Sequence, residues 1–169
     1  PDVISAGNFS LNASRNTYRI GDELQISGLQ FNEQYPSPTI RSERGKTQTI
    51  SFNNEIGQDS IIHWHGLIVP PEMDGHPKDA ISSGAYEYDF LINQRAGTYW
   101  YHPHPHRLTG EQVYKGLAGF FIVEDNEEKA LNLPTGEFEI SLLIQDRRIT
   151  STGEIRYNPS MSEQMMTGF

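Results

Sequence analysis

The chain has 169 residues, room for one domain of ordinary size and the start of a second, and 36% hydrophobic content is enough for a real core. Its 22 Asp and Glu against 13 Lys and Arg give a net charge of −9, which sets it against nucleic acid and anionic membranes as partners. Cysteine is absent, which excludes disulfides, thiolate nucleophiles and Cys-based zinc sites within this sequence.

The elements read as strands, in chain order. Tyr18-Arg19-Ile20 and Leu24-Gln25-Ile26 are β-favouring runs separated by the turn pair Gly21-Asp22. Thr47 to Phe52 alternates and stops at Asn53-Asn54, and Ser60 to Leu67 runs on to Pro70-Pro71. Tyr86-Glu87-Tyr88-Asp89-Phe90 alternates aromatic and acidic residues with the period of a half-buried strand. Gly97 to Tyr101 and Ala118 to Val123 complete the set, with a short helix expected near Thr109 to Tyr114. Many short strands with frequent turn signals indicate an all-β sandwich or barrel.

A boundary is expected across Glu124 to Gly136, where the charge cluster Asp125 to Lys129 precedes Leu133-Pro134-Thr135-Gly136. Phe138 to Ile144 then opens a new strand pattern, in a tail too short to bury itself. The expected division is residues 1–130 as the first domain and 131–169 as a linker and the opening of an incomplete second. Met161 to Phe169 carries no capping turn, so the natural protein is expected to continue past Phe169, this piece being nicked, truncated or an isolated fragment. No apolar run approaches the roughly 20 residues that cross a bilayer. Pro1 to Ser5 lacks a signal-peptide pattern, as would a mature chain whose signal had been removed.

All six histidines lie between positions 63 and 106. On a strand, residues i and i+2 share a face about 6.5 Å apart. His63 and His65 therefore point one way, as do His102 and His104. Side by side, two such strands would aim four imidazoles into one small volume. Four imidazoles buried together without a metal would lose hydrogen bonds at about 1–3 kcal/mol each, so a metal is the cheaper explanation. Imidazole suits copper, zinc, iron and nickel, and spacing does not choose among them. Trp64, Tyr99, Trp100 and Tyr101 flank the pairs as expected packing residues that keep water from the site.

His63-Trp64-His65-Gly66-Leu67 and Gly97-Thr98-Tyr99-Trp100-Tyr101-His102-Pro103-His104 resemble the first two copper motifs of multicopper oxidases. Leu108 to Gly119 resembles the segment after the second motif, particularly in bacterial cuprous oxidases and laccase-like enzymes. Pro36-Ser37-Pro38-Thr39-Ile40, Val123-Glu124-Asp125 and Ile144-Gln145-Asp146-Arg147 match other stretches, so the likeness spans nearly the whole chain. The resemblance implies a cupredoxin-like Greek-key β-sandwich. It also implies copper in type 2 and type 3 centres, with His63 as a type 2 ligand and His65, His102 and His104 as type 3 ligands. Asp74, in Glu72-Met73-Asp74-Gly75, would be the acid that delivers protons as dioxygen is reduced, although a turn residue before Gly75 is the plainer reading. His106 shares parity with His104, but the family pattern ends at His104 and Pro105 interrupts a strand, so His106 and His76 are expected at the surface or behind the ligands.

The implied activity is that of an enzyme coupling one-electron oxidation of a phenolic or metal-ion substrate to four-electron reduction of dioxygen to water, in the periplasm or outside the cell. Its partners would be the remaining carboxy-terminal part of the same enzyme, dioxygen and a small reducing substrate. The type 1 copper needs a cysteine sulfur and must lie outside this chain. Two rival classes are a non-catalytic copper-binding or structural cupredoxin-like module and a zinc hydro-lyase. Retention of all four histidines opposes the first, and the second His-X-His has no role in the other. Copper nitrite reductases are a nearer relative, but their first domain carries the type 1 cysteine.

Overall fold

The computed structural model describes residues 2–5, 7–21 and 24–157. Among these described residues nine strands are found: β1 Val3–Ser5, β2 Asn8–Ile20, β3 Leu24–Phe31, β4 Thr39–Glu43, β5 Thr47–Asn54, β6 Ile62–His65, β7 Gly84–Leu91, β8 Gly97–Pro103 and β9 Gly119–Glu124. Helix α1 covers Thr109–Lys115, and a single turn, α2, covers Asn126–Lys129. One sheet has the order β1-β4-β9-β8-β6 and the other β3-β2-β5-β7. Their inner faces meet in one core, so the expected all-β sandwich is the observed architecture. Strands β1 with β4, β2 with β5 and β4 with β9 pair in parallel, which requires the chain to cross between sheets rather than turn back in hairpins.

Alternation explains which side chains enter the core. In β5, Gln48, Ile50, Phe52 and Asn54 are buried while Thr49, Ser51 and Asn53 lie outside. In β7, Tyr88 and Phe90 are buried while Glu87 and Asp89 are exposed, so the aromatic–acidic alternation marks the two faces. Trp64 lies at the centre, its ring 5.0 Å from Tyr88, 5.3 Å from Phe90 and 6.0 Å from Phe121. Tyr101 packs beside it, donating its hydroxyl to the Pro38 carbonyl at 2.8 Å.

Tyr88 also positions the short edge strand β6. Its hydroxyl donates to the Ile62 carbonyl at 2.9 Å and accepts from the Ile62 N–H at 2.8 Å. Burial pushes this phenol well above its usual ionisation range, so it stays a neutral donor and acceptor at every working pH. On the far side of β6, buried Gln112 of α1 accepts from the Ser60 hydroxyl at 2.9 Å and donates to the Asp59 carbonyl at 2.8 Å. Gln112→Leu removes both bonds and leaves buried Ser60 without that partner. Denaturant unfolding should show a loss of about 1–3 kcal/mol, and an unchanged midpoint would contradict this role.

Several elements differ from the sequence expectation. β2 reaches back to Asn8, and β1 and β4 were not anticipated. Ser60 to Leu67 contracts to Ile62–His65, because Ser60 makes only an isolated bridge to Ile81 and Gly66 takes a positive φ of 91°. Phe138 to Ile144 forms no ladder. Gly136–Phe138 is a 3-10 turn, and Phe138, Ile140, Leu142 and Ile144 are 74–86% exposed. A β-prone run with no neighbouring strand has nothing to pair with, and propensity alone does not hold it extended. Beyond it, Arg147 clasps the body of the fold, donating to the hydroxyl of Tyr18 at 3.0 Å and to that of Tyr35, whose rings stack at 4.0 Å. The expected turn at Gly21-Asp22 lies partly, and Met161 to Phe169 wholly, outside the described residues.

Candidate metal centre

β6 and β8 are antiparallel neighbours, with His63 opposite His102 and His65 opposite Trp100. Ile62 and Trp64 face the core, so His63 and His65 face the other way. Tyr101 likewise points inward, leaving Trp100 and His102 on the outer face with the two β6 histidines. Ring centroids lie 5.5 Å apart for His63 and His65, 5.4 Å for His63 and His102, and 5.4 Å for His65 and His102. One nitrogen from each of these three falls within 4.8 Å of the others, a donor set suited to a metal ion.

His104 stands slightly apart. β8 ends at Pro103, and His104 continues beyond it with its N–H on the Ile61 carbonyl at 2.8 Å. Its ring is 5.2 Å from His63 and 6.2 Å from His102. The structure thus brings all four histidines to the outer face of the β6–β8 ladder, three tightly and the fourth at its rim.

Backbone carbonyls assign the tautomers, because a carbonyl can only accept. His63 Nδ1–H donates to the Asp74 carbonyl at 2.8 Å, His102 Nδ1–H to the Pro103 carbonyl at 2.8 Å and His104 Nδ1–H to the Gly75 carbonyl at 3.3 Å. Each of the three therefore presents a bare Nε2. His65 differs, directing its Nδ1 at His102 Nε2 from 3.1 Å. The indole of Trp100 lies against both rings, at 4.8 Å from His65 and 4.3 Å from His102.

Burial, and then the neighbouring imidazoles of His63, His65 and His104, push His102 down from 6.5 to about 4, opposed by its bond to the Pro103 carbonyl. His102 is therefore neutral at ordinary pH, the state a ligand requires. The charged form is the one penalised in the folded chain. Between pH 6.5 and about 4 the unfolded chain binds more protons, so this contribution is complete above 6.5 and lost as pH falls through 4. Urea unfolding of the metal-free chain should show a fall of about 3 kcal/mol at most across that window. His102→Asn should lack that part of the slope, and an identical pH profile would contradict the assignment.

Asp74 is found at the back of the His63 ring. Its carboxylate Oδ1 is 3.1 Å from His63 Nδ1, the atom that already donates to its own carbonyl. The residue belongs to the cluster, though on the side away from the bare Nε2. His76 is exposed and its Nδ1 accepts from the Lys78 N–H at 3.2 Å, capping a turn; His106 is exposed beyond the end of β8. Of the four flanking aromatics, Trp64 and Tyr101 do not cover the histidines as expected, because strand alternation sends them into the core. Tyr99 turns its hydroxyl to the Arg95 carbonyl at 3.0 Å, which leaves Trp100 as the covering ring. Sequence reasoning passed over Gly75, whose only signal was its place after Asp74.

Known proteins resemble this chain in sequence and fold. The pattern of the multicopper oxidase family matches residues 12–128. A multicopper oxidase of Staphylococcus haemolyticus is 30% identical over 162 residues, covering 95% of this chain and 36% of that protein. A laccase of Bacillus subtilis is 31% identical over 168 residues, covering 78% of this chain and 33% of its own. The crystal structure of a multicopper oxidase from the hyperthermophile Aquifex aeolicus superposes with a TM-score of 0.86 at 40% identity, over 94% of this chain and 37% of that one. The chain spans about a third of the length of these relatives.

Proposed function

Because the chain belongs to the multicopper oxidase family, we propose that it carries the first cupredoxin-like domain of a laccase-like oxidase and half the ligands of a trinuclear copper cluster. The complete protein would couple one-electron oxidation of a phenolic or metal-ion substrate to four-electron reduction of dioxygen to water. The observation that carries this is the convergence of His63, His65 and His102, with donor nitrogens within 4.8 Å, and of His104 at their rim.

His63 would serve the type 2 copper, and His65, His102 and His104 the type 3 pair. Bound copper supplies the redox steps that dioxygen reduction requires. The chain's own part is to hold the donors ready. Three backbone carbonyls occupy Nδ1 of His63, His102 and His104 and leave Nε2 bare, and burial keeps His102 unprotonated. Trp100 packs against the His65 and His102 rings, of which His102 is buried and His65 exposed. Asp74, with its side chain 45% exposed, reaches solvent on one side and the His63 proton on the other. Its access to solvent suits it to take up protons for the cluster, by a route other than His63, whose Nδ1 already carries one.

Residues 1–130 form the first domain in this reading, and 131–169 begin a second. The remaining cluster ligands and the type 1 site would come from the carboxy-terminal part of the enzyme, which would work in the periplasm or outside the cell. Among the described residues no helix is long and apolar enough to cross a membrane. Titration of the chain with copper(II), followed by electron paramagnetic resonance, tests the site. Copper should be retained by the chain and lost when His63, His65, His102 and His104 are all alanine. Equal retention by both would overturn the proposal.

A further inference from the structure

Two ligand histidines from different motifs rest on the same two-residue piece of backbone. His63 Nδ1–H meets the Asp74 carbonyl at 2.8 Å, and His104 Nδ1–H meets the next carbonyl, that of Gly75, at 3.3 Å. We propose that the Asp74–Gly75 backbone is a positioning brace that sets His63 and His104 together in the Nδ1–H tautomer and aims both Nε2 lone pairs at the metal. The inference rests on the reading of the cluster as a metal site, while the tautomers follow from the carbonyl contacts and can be tested without metal.

The packing explains how two carbonyls reach both rings. Gly75 is buried with φ at +70°. A Cβ there would sit 1.9 Å from the Ile62 carbonyl oxygen and 2.8 Å from the His63 nitrogen. The turn is thus pressed backbone to backbone against β6 at the ligand itself, which only glycine allows. The preceding turn, Pro71–Met73, is tied down from the other sheet. Tyr86 donates its hydroxyl to the Glu72 carbonyl at 2.7 Å, and the Asp89 N–H points to Met73 Sδ at 3.3 Å. β7 therefore holds the turn, and the turn holds His63 and His104.

A carbonyl suits this task because it accepts at every pH and cannot donate. It fixes the proton on Nδ1 and raises electron density at Nε2, which strengthens the ligand. The Asp74 carboxylate shares the His63 proton from 3.1 Å, but its side chain is 45% exposed and screened by water. The carbonyl at 2.8 Å carries the orientation. His102 is independent of the brace, since it donates to its own neighbour Pro103.

That independence supplies the control. In metal-free protein labelled with nitrogen-15 at histidine, at alkaline pH, nuclear magnetic resonance should find His63, His102 and His104 all protonated at Nδ1. Asp74→Ala, which keeps the backbone carbonyl, should give the same pattern. Gly75→Ala should lose the fixed tautomer at His63 and His104 and keep it at His102, with copper(II) retention against a chelator lowered on the order of 10–100-fold. A wild-type His63 or His104 protonated at Nε2, loss of the His63 tautomer in Asp74→Ala, or an unchanged pattern in Gly75→Ala would each overturn the brace. Should Gly75→Ala not fold, the wild type and Asp74→Ala decide. Wild-type protein that shows the expected tautomers yet retains no copper would leave the brace standing and remove the metal-site reading.

Discussion

His102→Ala in the complete enzyme should bring dioxygen uptake to background while the type 1 copper is still reduced by substrate. His102 is 5% exposed and sits among the other three donors, its ring 5.4 Å from both His63 and His65. Its Nε2 lies 3.1 Å from His65 Nδ1, so these two nitrogens converge on one point. Changing the partner behind a ligand typically costs about 10–100-fold in metal affinity or activity, and deleting the ligand removes the bond itself, so the loss should exceed about 100-fold. The type 1 site would be built elsewhere in the protein and should keep its one-electron reduction. An oxygen electrode gives the first quantity and bleaching of the type 1 absorption the second. Normal oxygen uptake by a folded His102→Ala enzyme would end the assignment of His102 as a ligand.

The second large effect concerns stability. Trp64 is fully buried between the sheets, with Tyr88 edge-on at 5.0 Å and Phe90, Tyr101 and Phe121 within 6.1 Å. Trp64→Ala opens a cavity at the centre of the sandwich and should cost about 3–5 kcal/mol. For a chain of this size, that lowers the thermal midpoint by roughly 10 °C or more. Trp64→Phe separates volume from polarity. The indole N–H has no hydrogen-bond partner among the described residues, and an orphaned buried donor costs about 1–3 kcal/mol. Phenylalanine gives up some contact but removes that penalty, so its cost should be well below that of alanine. His63 and His65 point from the opposite face of β6, so Trp64→Phe should still take up copper. A phenylalanine variant as unstable as the alanine variant would show that the indole N–H is satisfied after all.

Parts of the site were legible because strand geometry is local. Once His63-Trp64-His65 lies on a strand, period two decides that the histidines share a face and that Trp64 takes the other, and the structure shows both. Reading Trp64 and Tyr101 as a cover for the histidines missed the same rule applied to the aromatics. β1 and β4 were missed for a different reason: they pair in parallel with each other, and β4 with β9, across long separations, and such pairing leaves no turn signature nearby. Phe138 to Ile144 shows the converse, a strand-like pattern with no ladder because no strand among the described residues lies beside it.

Alternation, turn residues and spacing along the chain indicated an all-β sandwich or barrel and two histidine pairs that each share a face, because these are properties of neighbours in sequence. The family and its cupredoxin-like sandwich came from the likeness of the two motifs to those of multicopper oxidases. Only the tertiary structure decided that His63 faces His102, that His104 stands at the rim, and which nitrogen each ring presents. Those outcomes depend on register between strands and on carbonyls supplied from a separate turn. Asp74 shows the difference most plainly. Its place beside the cluster was implied by the family resemblance, with a plain turn residue as the alternative, whereas its contact with His63 Nδ1 follows from Gly75 packing against β6, which no spacing along the chain encodes.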